Sequence, residues 1–282
     1  MKKRKITSVF LALGLFASLL FQVPISAEEA DQSAAVEASG TISTNSISGW
    51  PQASDISYEA AVVMENTTNT ILYSKNADEV LFPGSTVKIM TCLLALENTQ
   101  LTDEVTMTAT GVSGVTDGGA SISSQVDEVF TVEQCLYAIM VASANDIALQ
   151  IAEHVGSSVD GFVKQMNTRA QELGCTNTVF TNPTGLPDDN QHTTAHDMAL
   201  IMQAAIQNES FRTIAAATSY TIPATNKAAA RNLTSKFTMT DTGSTGFYEG
   251  CIGGKEGYTE ASGSTLVCAA QRNGMTLISV VL

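Results

Sequence analysis

A serine and a lysine three residues apart are the first candidates for chemistry in this sequence. Ser85 and Lys88 lie within residues 82–91, which read FPGSTVKIMT. Pro83 and Gly84 predict a turn, and the apolar residues that follow predict a helix, with Ser85 at its N-cap or in its first turn. Because residues at i and i+3 share one helix face, we expect the hydroxyl and the amine to lie together.

The surroundings of Lys88 allow two interpretations. In an otherwise apolar helix the side chain either extends its ammonium to water or is desolvated with a lowered pKa. A desolvated lysine can take the proton of a serine hydroxyl, which would make Ser85 a nucleophile, and the helix N-terminus favours negative charge there. A Ser-x-x-Lys pair alone is a weak signal, so the rest of the chain must decide.

Two further groups of polar residues could complete such a site. Ser143 and Asn145 lie at an expected break between helices, where both residue types also serve as caps. There the hydroxyl could relay a proton, and the amide could hold Lys88 and a substrate carbonyl. Lys255 follows two glycines on a late strand, where it could supply positive charge for an anionic group or simply be solvated.

The apolar patterns predict an α+β protein. A hairpin is expected over residues 60–74, and the helix after Ser85 is expected to end near Asn98. Further helices are expected at about 130–140, 146–155, 159–173 and 194–207, and strands at 220–222, 253–259, 264–271 and 275–282. Asn273-Gly274 is a strong hairpin signal. The order predicts that the first and last strands share one antiparallel sheet, with a helical subdomain at about 100–210.

The N-terminal residues are typical of a secretory signal. Residues 2–5 are basic, residues 9–21 are apolar, and Ala27 suits the last position before cleavage. An uncleaved anchor helix is the alternative, because about 20 apolar residues can span a bilayer. Residues 28–54 are predicted to be a flexible linker and residues 55–282 the folded domain.

The composition argues against several functions. A net charge of −14 over 282 residues disfavours nucleic acid as a partner. The five cysteines are widely spaced without a Cys-x-x-Cys pair, which favours buried free thiols over disulfides. His192 and His196 lack the glutamate of a zinc-binding His-Glu-x-x-His helix, so we expect neither a metal nor another cofactor.

The three groups in this order make the sequence resemble the low-molecular-mass penicillin-binding proteins, the serine D-alanyl-D-alanine carboxypeptidases. The resemblance runs from about Tyr58 to Leu282 and includes residues 85–97, 143–146, 181–187 and 196–198. It implies the β-lactamase/DD-peptidase-like fold, an antiparallel five-stranded sheet packed with helices plus an inserted all-helical subdomain.

The resemblance also implies roles for these residues. Ser85 would attack the carbonyl between the two terminal D-alanines of peptidoglycan stem peptides and become acylated. Lys88 would be its general base, and Ser143 would relay a proton. The oxyanion hole would be the backbone N–H groups of Ser85 and Tyr258. β-Lactam antibiotics would acylate Ser85 as covalent inhibitors. The implied substrate-binding residues are Asn145, Lys255, Glu256, Gly257, Tyr258 and Thr259.

Glu256 departs from the family pattern, which has threonine between the lysine and the glycine. Threonine there usually binds the substrate carboxylate, which a glutamate would repel. One hypothesis is that Glu256 turns away or pairs with Lys255 while Thr259 supplies the hydroxyl. The other is that activity or β-lactam affinity is reduced.

Two other functions stay open, and the ends of the chain bear on where the protein acts. Glu256 would fit a catalytically impaired peptidoglycan-binding homologue, and a class A β-lactamase is disfavoured because residues 180–190 lack its Glu-x-x-Leu-Asn loop.

The sequence stops in a predicted strand, so we expect a truncated C-terminus without the family's closing helix. An extracytoplasmic location is expected, with a peripheral membrane tether through a C-terminal tail left open.

Overall fold

A computed structural model describes residues 56–113 and 119–282 of the chain. The predicted signal at 1–27 and the predicted linker at 28–54 therefore lie outside the described residues. Within the described part, every helix is too short or too polar to cross a membrane.

A five-stranded antiparallel sheet joins the beginning and the end of the described chain. Its strand order is β2-β1-β9-β8-β7. The five strands are β1 (Ala61–Glu65), β2 (Ile71–Lys75), β7 (Cys251–Thr259), β8 (Gly263–Arg272) and β9 (Met275–Val281). Met64 of β1 and Ile278 of β9 are in register and fully buried, so the predicted shared sheet is confirmed.

The turn between β8 and β9 has the geometry that its sequence requires. Asn273 and Gly274 both have positive φ, at 51° and 80°. A two-residue type I′ hairpin needs positive φ at both central positions, which asparagine and glycine tolerate best. The hairpin prediction is therefore confirmed.

The helices cover the sheet and pack against one another. They are α1 (Lys88–Asn98), α2 (Ala109–Ser113), α3 (Val132–Val141), α4 (Asn145–Gly156), α5 (Val159–Glu172), α6 (Ala195–Ala205) and α7 (Glu209–Ala215). Helix α1 lies at the centre, in contact with α3, α4 and α6, and its residues 88–95 are all buried. The part of α1 that carries Lys88 is therefore enclosed, whereas Glu97 and Asn98 at its end are exposed.

Some elements differ from the sequence expectations. Phe130 belongs to a short strand, β4 (Val129–Thr131), which pairs with β3 (Glu104–Thr106), so residues 100–210 are mainly but not wholly helical. Helix α3 begins two residues after Phe130 because Thr131 and Gln134 form a reciprocal capping box. A second small sheet joins β5 (Ser219–Ile222) to β6 (Arg231–Thr234), of which only β5 is predicted.

Helix α6 packs on the main sheet rather than only on other helices. Its neighbours include β1, β8 and β9, and α7 packs on β7. The helices at the end of the 100–210 stretch thus belong to the layer that covers the sheet.

The five cysteines are all free thiols. Four are buried, and Cys251 is partly exposed. Burial is the main cause that raises the pKa of Cys92, Cys175 and Cys268 to about 12, so these thiols stay protonated and unreactive near neutral pH. The prediction of buried thiols holds for these positions.

Candidate active site

Ser85 lies in a 3-10 turn, Gly84–Val87, immediately before α1. It is neither the N-cap nor a first-turn residue of the α-helix, since the cap of α1 is Val87. Gly84 adopts a φ of +56°, which turns the chain into the 3-10 segment. Because side chains at i and i+3 eclipse in 3-10 geometry, the segment aligns Ser85 with Lys88 more directly than an α-helix would.

Lys88 is fully buried, which decides between the two interpretations of this residue. Its Nζ lies 3.2 Å from Ser85 Oγ, 2.7 Å from Asn145 Oδ1 and 2.5 Å from the Thr184 carbonyl oxygen. The last two atoms can only accept hydrogen bonds. A neutral amine donates its two hydrogens to them and directs its lone pair at the Ser85 hydroxyl.

The electrostatics favour the neutral amine. Burial holds the pKa of Lys88 well below its usual value, and the nearby Lys255 ammonium lowers this pKa further. The Glu256 carboxylate opposes the shift, but it is a smaller influence than either. Lys88 therefore has the properties of a general base near neutral pH.

The carbonyl of Thr184 is a partner of Lys88 that the sequence reasoning missed. Thr184 belongs to the loop of residues 181–187. In this loop Asn182 Oδ1 accepts hydrogen bonds from the backbone N–H groups of Thr184 and Gly185, at 3.1 and 2.9 Å. Thr91 Oγ1 of α1 donates to the Pro183 carbonyl at 2.7 Å. Residues 181–187 are part of the family resemblance, but an amino-acid sequence does not reveal which backbone carbonyl contacts the catalytic lysine.

Gly185 is required by close packing against the turn that carries the serine. A Cβ on Gly185 would lie 1.9 Å from the Gly84 carbonyl oxygen, and the glycine has a φ of +82°. The loop can therefore approach the start of the 3-10 turn only with glycine here. This contact fixes the Thr184 carbonyl relative to Ser85 and Lys88.

Ser143 and Asn145 lie at the predicted break between α3 and α4. Ser143 has a φ of +56° and lines the same cleft as Ser85. Asn145 begins α4, is 4% exposed and places its amide oxygen on Lys88. Ser143 is not a hydrogen-bond partner of Lys88 among the described residues, so the structure brings it to the cleft without assigning its relay role.

Asp146 is a second residue that the sequence reasoning missed. It is fully buried, and its carboxylate accepts hydrogen bonds from both the hydroxyl and the backbone N–H of Ser124, at 2.8 and 3.1 Å. Ser121 Oγ donates to the same carboxylate at 2.8 Å. Asp146 thus fixes the segment 121–124 beside Asn145.

Lys255 is fully buried beneath the cleft, which excludes the solvated interpretation. Its Nζ donates to the Glu256 carbonyl at 2.8 Å and to Glu256 Oε1 at 2.9 Å. The pairing of Glu256 with Lys255 in the first hypothesis is therefore observed. Thr259 does not offer a free hydroxyl, because its Oγ1 donates to Ser262 Oγ at 2.8 Å.

Strand β7 lies directly against the serine turn at Gly257. A Cβ at this position would lie 2.7 Å from the Ser85 backbone nitrogen and 2.6 Å from Thr265 Oγ1. The absence of a side chain thus brings the backbone of β7 beside the Ser85 N–H. An oxyanion hole built from Ser85 and Tyr258 would require β7 to lie this close to the serine turn.

A cleft of about 680 Å³ opens above this centre. Ser85, Ser143, Asn145, Glu256 and Gly257 line it, with Tyr258 and Thr259 at the end of β7. The predicted site residues are therefore brought together, with the amine of Lys88 below the floor. The lining also includes Lys236, which the sequence reasoning did not select.

The family model for D-alanyl-D-alanine carboxypeptidases matches residues 48–282. The chain belongs to this family. The D-alanyl-D-alanine carboxypeptidase DacF of Bacillus subtilis is 36% identical over 237 residues, which cover 81% of this chain and 58% of that protein. A D-alanyl-D-alanine carboxypeptidase of Streptomyces sp. strain K15 is 34% identical, with 78% of each chain covered.

Solved structures of similar proteins have the same fold. The Streptomyces K15 DD-transpeptidase superposes with a TM-score of 0.76 at 31% identity, covering 82% of this chain and 92% of that one. A D-alanyl-D-alanine carboxypeptidase of Mycobacterium tuberculosis gives a TM-score of 0.74 at 28% identity, covering 83% and 85%. The α+β DD-peptidase-like fold is therefore confirmed for this family member, which spans little more than half of the Bacillus subtilis relative.

Proposed function

We propose that this chain is a serine D-Ala-D-Ala carboxypeptidase that removes the terminal D-alanine from peptidoglycan stem pentapeptides. The observation that carries the proposal is the contact between Lys88 Nζ and Ser85 Oγ at 3.2 Å, with both other partners of the amine being acceptors. This arrangement supports nucleophilic attack by Ser85 with Lys88 as base.

Acylation begins with proton transfer from Ser85 Oγ to the neutral amine of Lys88. The Oγ atom attacks the carbonyl carbon between the two D-alanines, and the carbonyl oxygen becomes negatively charged. The backbone N–H groups of Ser85 and Tyr258 stabilise that oxyanion, where one donor is typically worth 10²–10³ in rate. The packing of Gly257 against the Ser85 nitrogen supports this placement.

The tetrahedral intermediate then releases D-alanine. The C–N bond breaks, and the departing amine takes the proton from Lys88 through Ser143, whose position in the cleft suits such a relay. Water attacks the remaining ester while Lys88 takes a proton from it. The bond between the acyl carbon and Ser85 Oγ then breaks, and Lys88 returns the proton to Oγ, which frees the shortened peptide. Every proton in this cycle is carried by the protein's own groups.

β-Lactam antibiotics are proposed to acylate the same serine. The strained amide takes the place of the scissile peptide bond, and Ser85 Oγ opens the ring to form an ester. Because the ring-opened leaving group remains attached, it does not vacate the cleft for water. The resulting acyl-enzyme would be long-lived.

An extracytoplasmic location is proposed from residues 1–27 alone, because a basic segment followed by an apolar run is typical of exported proteins. Peptidoglycan stem peptides are exposed on that side of the cytoplasmic membrane.

A single assay tests the proposed function against its rivals. The purified protein is incubated with a pentapeptide ending in D-Ala-D-Ala, and D-alanine release is measured beside labelling by a fluorescent penicillin. We expect release and labelling, both lost in Ser85→Ala. Rapid turnover of the penicillin would indicate a β-lactamase, whereas neither release nor labelling would favour the impaired homologue suggested by Glu256.

A further inference from the structure

We propose that Lys236, rather than Lys255, supplies the positive charge that receives the terminal carboxylate of the substrate. This inference rests on the proposed function and identifies a binding residue for the same cleft. It follows from how charge is distributed around β7.

The charge of Lys255 is already compensated within the protein. Its side chain is fully buried, and two of its three hydrogens are donated to the Glu256 carbonyl and to Glu256 Oε1. Lys255 is also not among the residues that line the cleft. A substrate carboxylate would have to displace a carboxylate that is attached to the next residue of the chain.

Glu256 presents its carboxylate to the β7 side of the cleft and forms a pair of no net charge with Lys255. Its side chain is 26% exposed and lines the cleft together with Ser85. A second carboxylate placed here would meet like-charge repulsion. The substrate therefore needs a cation that Glu256 does not already neutralise.

Lys236 meets that requirement. Among the described residues it is the only lysine or arginine that lines the cleft, and its side chain is exposed. In the described part of the chain no carboxylate lies within 4 Å of its ammonium. Its charge is thus available to a ligand.

The segment that carries Lys236 is anchored against β7. The neighbouring Phe237 is 3% exposed. Its Cε2 atom lies 2.7 Å from the position that a Cβ on Gly254 would take, so the ring packs directly on this glycine. Gly254 directly precedes Lys255, so Lys236 is held near the buried lysine. In agreement, the Lys236 ammonium contributes to lowering the pKa of Lys255, although burial is the main cause.

The test compares Lys236→Gln with Lys227→Gln. Lys227 is an exposed lysine nine residues earlier that does not line the cleft, so it controls for loss of one positive charge. Each variant is assayed with peptides ending in D-Ala-D-Ala and in D-Ala-D-alaninamide. Acylation by benzylpenicillin and by its methyl ester is measured in parallel.

We expect Lys236→Gln to lower kcat/KM for the acid about 10-fold or more, mainly through KM, as is typical for a lost hydrogen bond to a charged group. The amide and the methyl ester should change less than about 2-fold on the same reasoning, because they carry no charge to lose. Equal losses for acid and amide, or no loss at all, would overturn the proposal.

A second variant tests the part assigned to Glu256. In Glu256→Thr the ammonium of Lys255 is released from its internal partner, so Lys236→Gln in that background should lose much less than in the natural sequence. An undiminished loss would contradict the assignment. Absent D-alanine release would count against the proposed function, whereas the acid-to-ester ratio of acylation decides the role of Lys236, so the two failures are distinguishable.

Discussion

Lys88 Nζ lies 3.2 Å from Ser85 Oγ, and the amine is fully buried while the hydroxyl opens onto the cleft. The base is thus kept away from water and the nucleophile is presented to a substrate. The 3-10 turn before α1 produces this arrangement, because it aligns the two side chains while α1 continues into the core.

Replacing the buried amine should greatly slow acylation while the fold is retained. Lys88→Met fills the same space without a base, so the acylation rate by a fluorescent penicillin should fall about 10²–10⁴-fold, the usual contribution of a general base. Thermal unfolding serves as the control, because the variant leaves the Asn145 amide oxygen and the Thr184 carbonyl without their donor and must be shown to fold. Acylation within about 3-fold of the natural rate would contradict the role of Lys88.

The pH dependence of acylation should reveal the lowered pKa of Lys88. Only the neutral amine can take the Ser85 proton, so the rate should rise with pH and level off well below 10.5, the usual lysine value. Burial, which lowers this pKa, is the reason. Stopped-flow acylation between pH 5 and about 10 measures it, and a rate that still rises at the upper end would show an ordinary lysine.

The same shift gives a sign for stability. The unfolded chain binds a proton at this lysine up to a higher pH than the native chain does, so the contribution of Lys88 to stability should increase as pH rises through its folded pKa. Denaturant unfolding of the natural protein and of Lys88→Met, measured from the folded pKa of Lys88 up to its usual value of 10.5, gives the pH-dependent part of the free energy of unfolding that this lysine contributes. A difference that does not vary with pH would argue against a shifted lysine.

Asn145 should matter for both positioning and stability. Asn145→Ala removes one of the two acceptors that orient the amine, leaving a buried donor unsatisfied at about 1–3 kcal/mol. We expect slower acylation with a pH profile displaced from the natural one. Asn145→Asp is the informative control, because a carboxylate beside Lys88 would raise its pKa and move the profile to higher pH.

Gly185 offers a test of the support beneath the site. Gly185→Ala places a Cβ 1.9 Å from the Gly84 oxygen at a φ of +82°, whereas Gly174→Ala has a similar φ of +86° but no atom within 4 Å. Both should show conformational strain of about 1–3 kcal/mol, but only Gly185→Ala should add a clash and slow acylation. Equal effects on acylation would show that the contact with Gly84 is unimportant.

The sequence predicted much of this molecule, and the exceptions have physical reasons. The sheet and its Asn273-Gly274 turn follow from apolar alternation and positive φ, which are local properties. The 3-10 turn and the Thr131 cap were missed, because an apolar run alone does not mark where a helix begins. The Thr184 carbonyl and the anchoring role of Asp146 arise from contacts distant in sequence, and the availability of Lys236 depends on which cations Glu256 neutralises.

The most direct test of the central claim is the site of covalent attachment. After incubation with benzylpenicillin, mass spectrometry of proteolytic fragments should locate one penicilloyl adduct on Ser85, absent from Ser85→Ala and strongly reduced in Lys88→Met. An adduct on another residue, or undiminished labelling of Ser85 in Lys88→Met, would contradict the account in which the buried Lys88 activates Ser85.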